Sequence, residues 1–440
     1  MKNYFFAFFL LATFFLQAQH TISGTFTPAN EYKWLIAYRL KPGTQVYVAD
    51  TAIKNGEFSL SIPENAVEGT YRLVYAIPQE EFYFDVIYNG KENIELTFDV
   101  SKGVSFNSSE ENNVFNSYFK KINDLEREIV EFYIEGKTDE NAFENIVQQL
   151  KAAQITFEMK AVGLITHQFI LANKPFIPSK YEPIQRYIKL KKENYFNSLD
   201  FKNPVLQASG FLTDKVTNYV FTALPLEPIT QIQTENIMQN NIRKVDYFIQ
   251  GVEPTYKLHV FYSLWTQAVA SSFNSTSDFI YDSYLKALAF ETKNQDILEK
   301  IDLHNRLRIG AAAPEITWKD GDMVKKLSKM NDAENYLLVF WSSSCSHCLR
   351  ELPALHDKLK NNNKIKVVAV GLEEEDVYWK QESGKMANFE HAIALGKWEN
   401  EYAKLYDIHQ TPTYFILDQD KRIIAKPEDD IGVIEFLESN

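Results

Sequence analysis

The chain has 440 residues, of which 45% are hydrophobic and 14% aromatic, and its formal net charge is −13. This composition is typical of a folded globular protein, and the length indicates about two to four domains, because single cores rarely grow past about 250 residues. Nucleic-acid binding needs a basic patch, so the acidic balance argues against a nucleic-acid partner.

Residues 1–19 have the pattern of an export signal. One lysine precedes a largely apolar run from Phe5 to Leu16, which small and polar residues follow. A membrane span needs about 20 apolar residues, so an uncleaved anchor is only the alternative. The pattern predicts a cleaved signal peptide, removed after Ala18 or Gln19, and a location in the periplasm or beyond. No other window predicts a membrane span.

Residues 20–105 read as short strands rich in β-branched and aromatic side chains. Turn signals such as Pro42-Gly43, Asn55-Gly56 and Asn89-Gly90 separate them. Asn-Gly between two such runs is a strong hairpin signal. The pattern predicts a small antiparallel β-sandwich.

Residues 106–305 are predicted to be all-α. Apolar residues recur every three or four positions between Val114 and Ile129, which is the helical period. A second helix is predicted from near Thr138 as far as Leu171, and prolines separate the helical patterns that follow. No spacing of ligand-type residues predicts a site in this region.

From Gly310 onward, strands alternate with helices, which predicts parallel βαβ units. The last two predicted strands are joined by a tight polar turn and should form a hairpin. The acidic run from Glu373 to Asp376 is predicted to be a solvated loop that enters a helix. The small-residue and proline linker at 310–318 is predicted to lead into a strand, and the predicted strands after it cover residues 336–341, 364–372, 391–395, 413–417 and 422–425.

Cys345 and Cys348 are the only cysteines in the chain, and they stand between a predicted strand and a predicted helix. This order puts Cys345 at the start of the helix and Cys348 one turn inside. Free backbone N–H groups and the helix dipole there favour a thiolate, so the pKa of Cys345 should be low. Cys345 would then attack a disulfide, and Cys348 would resolve the product. A protonated His347 between them would stabilise the thiolate further.

Other uses of a cysteine pair fit the sequence less well. A structural zinc site needs about four ligands, and no second pair of ligand residues follows. Covalent haem attachment needs histidine directly after the second cysteine, where Leu349 stands. A disulfide across so short a loop would stabilise the fold little. A redox pair without metal or cofactor is therefore the prediction.

Four motifs follow one another in residues 310–440: FW at 340–341, CSHC at 345–348, ELP at 351–353 and TPTYF at 411–415. In this order they resemble the thioredoxin superfamily and, within it, exported TlpA/ResA-like thiol–disulfide oxidoreductases. The resemblance implies a C-terminal α/β thioredoxin fold. The N-terminal strands are similar to the small β-domain that precedes the thioredoxin domain in many such proteins.

The resemblance also implies roles for residues outside the cysteine pair. Pro412 should be a cis-proline beside the dithiol, and the backbone of Thr411 should pair with an extended substrate segment. Glu351 should assist proton transfer to the buried cysteine; the alternative is a solvent-exposed helix glutamate. Val339 occupies the place of the buried aspartate of thioredoxin, so that proton route is absent.

Together these patterns predict a multidomain, exported thiol–disulfide oxidoreductase that reduces client disulfides. Its expected partners are client proteins with disulfides or thiols and an unidentified redox partner that recycles it. The predicted parts are a signal peptide, a β-sandwich, a helical region and a thioredoxin-like domain, at residues 1–19, 20–105, 106–305 and 310–440. The alternative is a ligand- or partner-binding protein that uses the thioredoxin-like domain as a scaffold.

Overall fold

The computed structural model describes residues 20–439, so the predicted export signal lies outside the described part of the chain. The chain forms two compact units, which divide after Thr292. Within residues 20–439, no helix combines the length and the apolar character that crossing a membrane requires.

The first unit begins with eight strands in two four-stranded sheets, ordered β4-β1-β7-β8 and β3-β2-β5-β6. Side chains from both sheets, such as Phe26 and Leu73, fill one shared core. The predicted sandwich of antiparallel strands is confirmed, with one difference: β1 and β7 pair in parallel, Ile22 opposite Ile94. The strands are β1 (Thr21–Thr27), β2 (Trp34–Lys41), β3 (Thr44–Ala52), β4 (Glu57–Ser61), β5 (Gly69–Val74), β6 (Tyr83–Tyr88), β7 (Ile94–Asp99) and β8 (Gly103–Phe106).

The rest of the first unit is helical, as predicted. A π-helical turn at Tyr281–Leu285 joins the last two of its helices. The helices are α1 (Glu110–Ile134), α2 (Glu140–Lys160), α3 (Thr166–Ala172), α4 (Ile184–Glu193), α5 (Pro204–Gln207), α6 (Phe211–Thr222), α7 (Gln231–Phe248), α8 (Pro254–Ala270), α9 (Asn274–Ile280) and α10 (Lys286–Thr292).

The predicted single helix from near Thr138 to Leu171 is wrong, because the chain breaks between α2 and α3. Gly163 lies in this break with φ of 86°, a left-handed conformation that glycine adopts without a steric penalty. The carboxylate of Glu111 then accepts the backbone N–H groups of Ile165 and Thr166, both at 3.0 Å, which starts the new helix. A buried partner from a distant helix therefore decides the boundary.

Helix α1 is fixed to the sandwich by one buried amide. The side chain of Asn112 accepts the N–H of Ile87 and donates to its C=O, both at 2.8 Å. Strand β6 carries Ile87, so these two bonds hold α1 against an edge of the sheet. Side chains of α1, α3 and α6 and of this edge surround a cavity.

The second unit holds the predicted α/β domain, preceded by α11 and a two-stranded hairpin. Leu303 and Leu307 of α11 pack into its core. The prediction missed the second strand of the hairpin. The elements are α11 (Gln295–Leu307), β9 (Thr317–Asp320), β10 (Met323–Lys326), β11 (Asn335–Trp341), α12 (Ser346–Leu359), β12 (Ile365–Glu373), α13 (Val377–Ser383), β13 (Glu390–Leu395), α14 (Glu401–Leu405), β14 (Thr413–Leu417), β15 (Ile423–Ala425) and α15 (Asp430–Ser439).

The main sheet of this unit has the order β13-β12-β11-β14-β15. Strand β11 pairs in parallel with β12 and antiparallel with β14, and β14 and β15 form the predicted hairpin. Successive residues of β11 point to opposite faces, so Leu338 and Phe340 enter one core while Val339 and Trp341 enter the other. With both faces covered, the strand must be apolar throughout, and its carboxyl end leads directly to the cysteine pair.

Candidate active site

The cysteine pair lies where β11 gives way to α12. Cys345 is the N-cap residue of α12, with φ of −93° and ψ of 116°, and its N–H donates to the carbonyl of Ser342 at 3.1 Å. Cys348 is the third residue of the helix and is 1% exposed, whereas Cys345 is partly exposed. Both are free thiols. The predicted placement at the helix start is confirmed.

The sulfur of Cys345 takes the position of a capping acceptor. It accepts the backbone N–H of Cys348 at 3.4 Å, as an N-cap side chain does. Burial works to raise the pKa of the Cys345 thiol, but hydrogen bonds from the backbone of Cys348 and His347 and from the side chains of Cys348 and Thr411 outweigh it and lower the pKa. In the opposite sense, the thiol donates to the Thr411 carbonyl at 3.3 Å, which favours the protonated form.

Cys348 has the opposite environment. Burial raises the pKa of its thiol to about 12, and contact with the Cys345 side chain adds to the rise. It packs in the apolar core formed by α12 and β11, against residues such as Trp341 and Leu352. The two thiols therefore differ in both access and acidity. In residues 20–439, no cluster of three or more His, Cys, Asp or Glu side chains could hold a metal ion.

Thr411 and Pro412 lie beside the dithiol at the start of β14. The peptide bond between them is cis, as predicted. The Thr411 carbonyl reaches the Cys345 sulfur at 3.3 Å, so two segments that are far apart in sequence meet at this thiol.

Glu351 is not a solvent-exposed helix glutamate, because its side chain is only 14% exposed. One of its carboxylate oxygens accepts the Tyr414 hydroxyl at 3.2 Å, and the other accepts Arg350 at 3.2 Å. Burial raises the pKa of Tyr414, and the charges of Glu351 and Cys348 add to the rise. Tyr414 thus contacts Glu351 and belongs to the same apolar core as Cys348. Sequence reasoning quoted Tyr414 in a motif but gave it no role.

The ring of His347 points away from the sulfur. Its side chain is 65% exposed, with Nδ1 3.0 Å from Arg350 and 3.8 Å from a Glu351 oxygen. The contribution of His347 to the low pKa of Cys345 comes from its backbone N–H.

Sequence reasoning missed Glu373, and the prediction that the whole run from Glu373 to Asp376 is solvated is wrong. Glu373 is 4% exposed and ends β12. Its carboxylate accepts the N–H of Ser343 at 2.5 Å and the Ser342 hydroxyl at 3.4 Å, while its carbonyl accepts the N–H of Gly396 at 2.9 Å. The signal that could have revealed it is its place at the end of a buried strand parallel to β11.

Replacing Glu373 with alanine should raise the pKa of Cys345. The Ser343 N–H would lose its acceptor, and the turn that presents Cys345 to the helix N–H groups would loosen. Losing one hydrogen bond to a charged sulfur corresponds to about one pKa unit. We expect Glu373→Ala to shift the pH dependence of Cys345 alkylation upward by about that much.

Two variants control this measurement. Glu373→Gln keeps an oxygen acceptor for Ser343 and should behave as the wild type, and Glu374→Ala removes an exposed neighbour. An unchanged alkylation profile in a folded Glu373→Ala protein would show that the carboxylate does not position Cys345.

Comparison with known proteins agrees with this geometry. Residues 333–423 match the family model described as Thioredoxin-like. The chain is 27% identical over 124 residues to the thiol-disulfide oxidoreductase ResA of Bacillus thuringiensis, an alignment that covers 28% of this chain and 70% of that protein.

Two solved structures are also similar to part of this chain. The thioredoxin domain of a thiol-disulfide oxidoreductase from Bacteroides vulgatus is 22% identical, with a TM-score of 0.28, and the match covers 30% of this chain and 97% of that one. A thioredoxin-like protein from Bacteroides caccae is 20% identical, with a TM-score of 0.36, over 60% of this chain and 97% of that one. Residues 333–423 therefore form a thioredoxin-like domain of the thiol–disulfide oxidoreductase class.

Proposed function

We propose that Cys345 and Cys348 exchange thiols and disulfides with client proteins, and that the protein works by reducing client disulfides. The observation that carries this proposal is the contrast between the two thiols. Cys345 is partly exposed and its pKa is lowered, whereas Cys348 is buried and its pKa is raised to about 12. Cys345 is therefore suited to attack a client disulfide, and Cys348 is suited to resolve the mixed disulfide afterwards.

The proposed reaction has two balanced steps. The Cys345 thiolate attacks one sulfur of a client disulfide, so a mixed disulfide forms and a client thiolate leaves. Cys348 then loses its proton and attacks the Cys345 sulfur, which releases the second client thiolate. The client gains two electrons, and the protein is left with a Cys345–Cys348 disulfide.

Glu351 is proposed to accept the proton of Cys348. At neutral pH a thiol with a pKa of about 12 hardly ionises by itself, so the second step needs a base. Glu351 is held next to the core by Tyr414, whose hydroxyl donates to it at 3.2 Å. Tyr414 belongs to the same apolar core as Cys348, so its hydroxyl would hold the carboxylate at the side of α12 that faces this core.

Thr411 and Pro412 are proposed to present the client. An extended client segment beside Cys345 would pair with the backbone of Thr411 by strand addition. The contact between the Thr411 carbonyl and the Cys345 sulfur supports this role, because it places a backbone acceptor next to the attacking atom.

We further propose that the protein acts after export, in the periplasm or beyond. The pattern of residues 1–19 supports this, and N-terminal sequencing of the mature protein would test it. A separate redox partner would have to reduce the Cys345–Cys348 disulfide after each cycle.

The division of labour between the cysteines can be tested in the full chain by insulin reduction. Cys345→Ser should abolish activity, because no other exposed thiolate can attack. Cys348→Ser should retain attack and accumulate a mixed disulfide that gel electrophoresis without reductant detects. Full insulin-reductase activity in Cys345→Ser would overturn the mechanism.

Replacing Glu351 with glutamine should slow the resolving step in a pH-dependent way. Glutamine cannot accept the Cys348 proton, so release of client from the mixed disulfide should fall about tenfold or more at pH 7. Raising the pH toward the pKa of Cys348 should reduce the difference in release rate between Glu351→Gln and the wild type, because hydroxide then accepts the proton. Stopped-flow measurement of single-turnover release gives the rates.

Glu435→Gln, which changes an exposed glutamate of α15, is the matched control and should release client as the wild type does. A loss in Glu351→Gln that stays constant from pH 7 to pH 10 would assign Glu351 a structural role instead.

The direction of electron flow can be read from the reduction potential of the pair. A reductant needs a disulfide form that is stable relative to its dithiol, so we expect a reduction potential of about −270 mV, as in thioredoxin. Equilibration with glutathione or a thioredoxin standard measures it. A reduction potential of about −120 mV would identify an oxidant.

A further inference from the structure

The first unit contains a cavity of about 460 Å³. It lies between strands β5 and β6 of the sandwich and helices α1, α3 and α6. Its volume falls in the range of small-molecule sites, which is about 300–1,000 Å³. All of its lining residues belong to the first unit, and neither cysteine is among them.

Much of the cavity wall is aromatic. Neighbouring rings contact one another, with centroids 4.5 Å apart for Phe115 and Phe119 and 5.5 Å apart for Phe115 and Phe169. Among the phenylalanines of the wall, Phe169 is buried and the others are partly exposed. A wall with this many aromatic side chains favours an apolar occupant. The phenylalanines of the wall are Phe106, Phe115, Phe119, Phe169 and Phe211.

Two polar groups of the wall have no hydrogen-bond partner within residues 20–439. In residues 20–439, no hydrogen bond or ion pair reaches the ammonium of Lys215, which lies 5.6 Å from the ring centre of Phe211 and 5.9 Å from that of Tyr195. Burial lowers the pKa of Lys215, and the charge of Glu126 opposes this. The hydroxyl of Thr70, a residue that is 6% exposed, also has no partner in the described chain.

Neither of the two aspartates of the wall forms an ion pair with Lys215 in the described structure. Asp85 is held by Arg72 through two hydrogen bonds of 2.9 Å. Burial raises the pKa of Asp214, and the charge of Arg72 opposes the rise, so Arg72 serves both carboxyls. Asp214 and Lys215 are adjacent on α6 and therefore point about 100° apart. Lys215 also lines a neighbouring cavity that contains Glu126, but within residues 20–439 no hydrogen bond uses the three donors of its ammonium.

We propose that this cavity binds an apolar organic anion with a ring-containing body, its acidic group at Lys215. The rings of the wall would cover the apolar body, and the anion would supply the acceptors that the ammonium lacks. The Thr70 hydroxyl offers a second polar contact. This binding is independent of the proposed thiol chemistry.

Two fluorescent probes that share one arene frame test the proposal on the full chain. One is 8-anilino-1-naphthalenesulfonate, an anion, and the other is the neutral N-phenyl-1-naphthylamine. We expect the wild type to bind the anion at a single saturable site. Lys215→Met should weaken the anion about tenfold, the scale of one charge-assisted hydrogen bond, and leave the neutral probe within about twofold.

Matched variants complete the test. Lys215→Arg keeps the charge and should retain binding of the anion, and Lys189→Met removes an exposed lysine of α4 and should leave both probes unaffected. Near-UV circular dichroism checks that each variant keeps native packing. If Lys215→Met fails to fold, Lys215→Gln, which also removes the charge, takes its place.

Each outcome of the probe experiment either supports or overturns the proposal. Selective loss of the anionic probe supports the proposal. Non-saturable binding by the native wild type, equal weakening of both probes, or unchanged binding of the anion by the neutral variants of Lys215 would each overturn it. None of these results depends on thiol exchange, because insulin reduction is measured separately.

Discussion

The chemistry of this protein depends on one contact: the sulfur of Cys345 serves as the acceptor that caps α12. Hydrogen bonds from the backbone of α12 and from the side chains of Cys348 and Thr411, rather than a cationic side chain, hold its pKa low. The backbone donors exist wherever a helix begins, so the thiolate is stabilised by the fold itself. The condition is that the turn after β11 keeps the sulfur in place, and the buried carboxylate of Glu373 meets that condition by binding Ser343.

The fold around this contact could be predicted from sequence because its signals are local. The apolar run of β11 indicates a strand in a sheet that is covered on both faces. The serine-rich turn with Cys345 indicates the start of a helix. The same holds for the final hairpin, where the polar turn between β14 and β15 dictates the pairing. In each case, neighbours in sequence carry the physical cause.

Other features were not predicted, because their cause is a residue that is distant in sequence. Glu373 looked solvated within its acidic run, and only the parallel pairing of β12 with β11 carries it to the turn. The orientation of His347 is set by Arg350 and Glu351. The break between α2 and α3 requires Glu111 from another helix. Partners of charged side chains are a property of the tertiary structure, and a linear pattern does not contain them.

The unequal exposure of the two thiols also affects how the domain reacts with peroxide. A partly exposed thiolate such as Cys345 oxidises first, to a sulfenic acid, and a second oxidation to sulfinic acid is irreversible. Cys348 is three residues away and shielded from the oxidant. Its sulfur can condense with the sulfenic acid and expel water, which leaves an ordinary disulfide. The buried partner thereby turns a damaging oxidation into a reversible one.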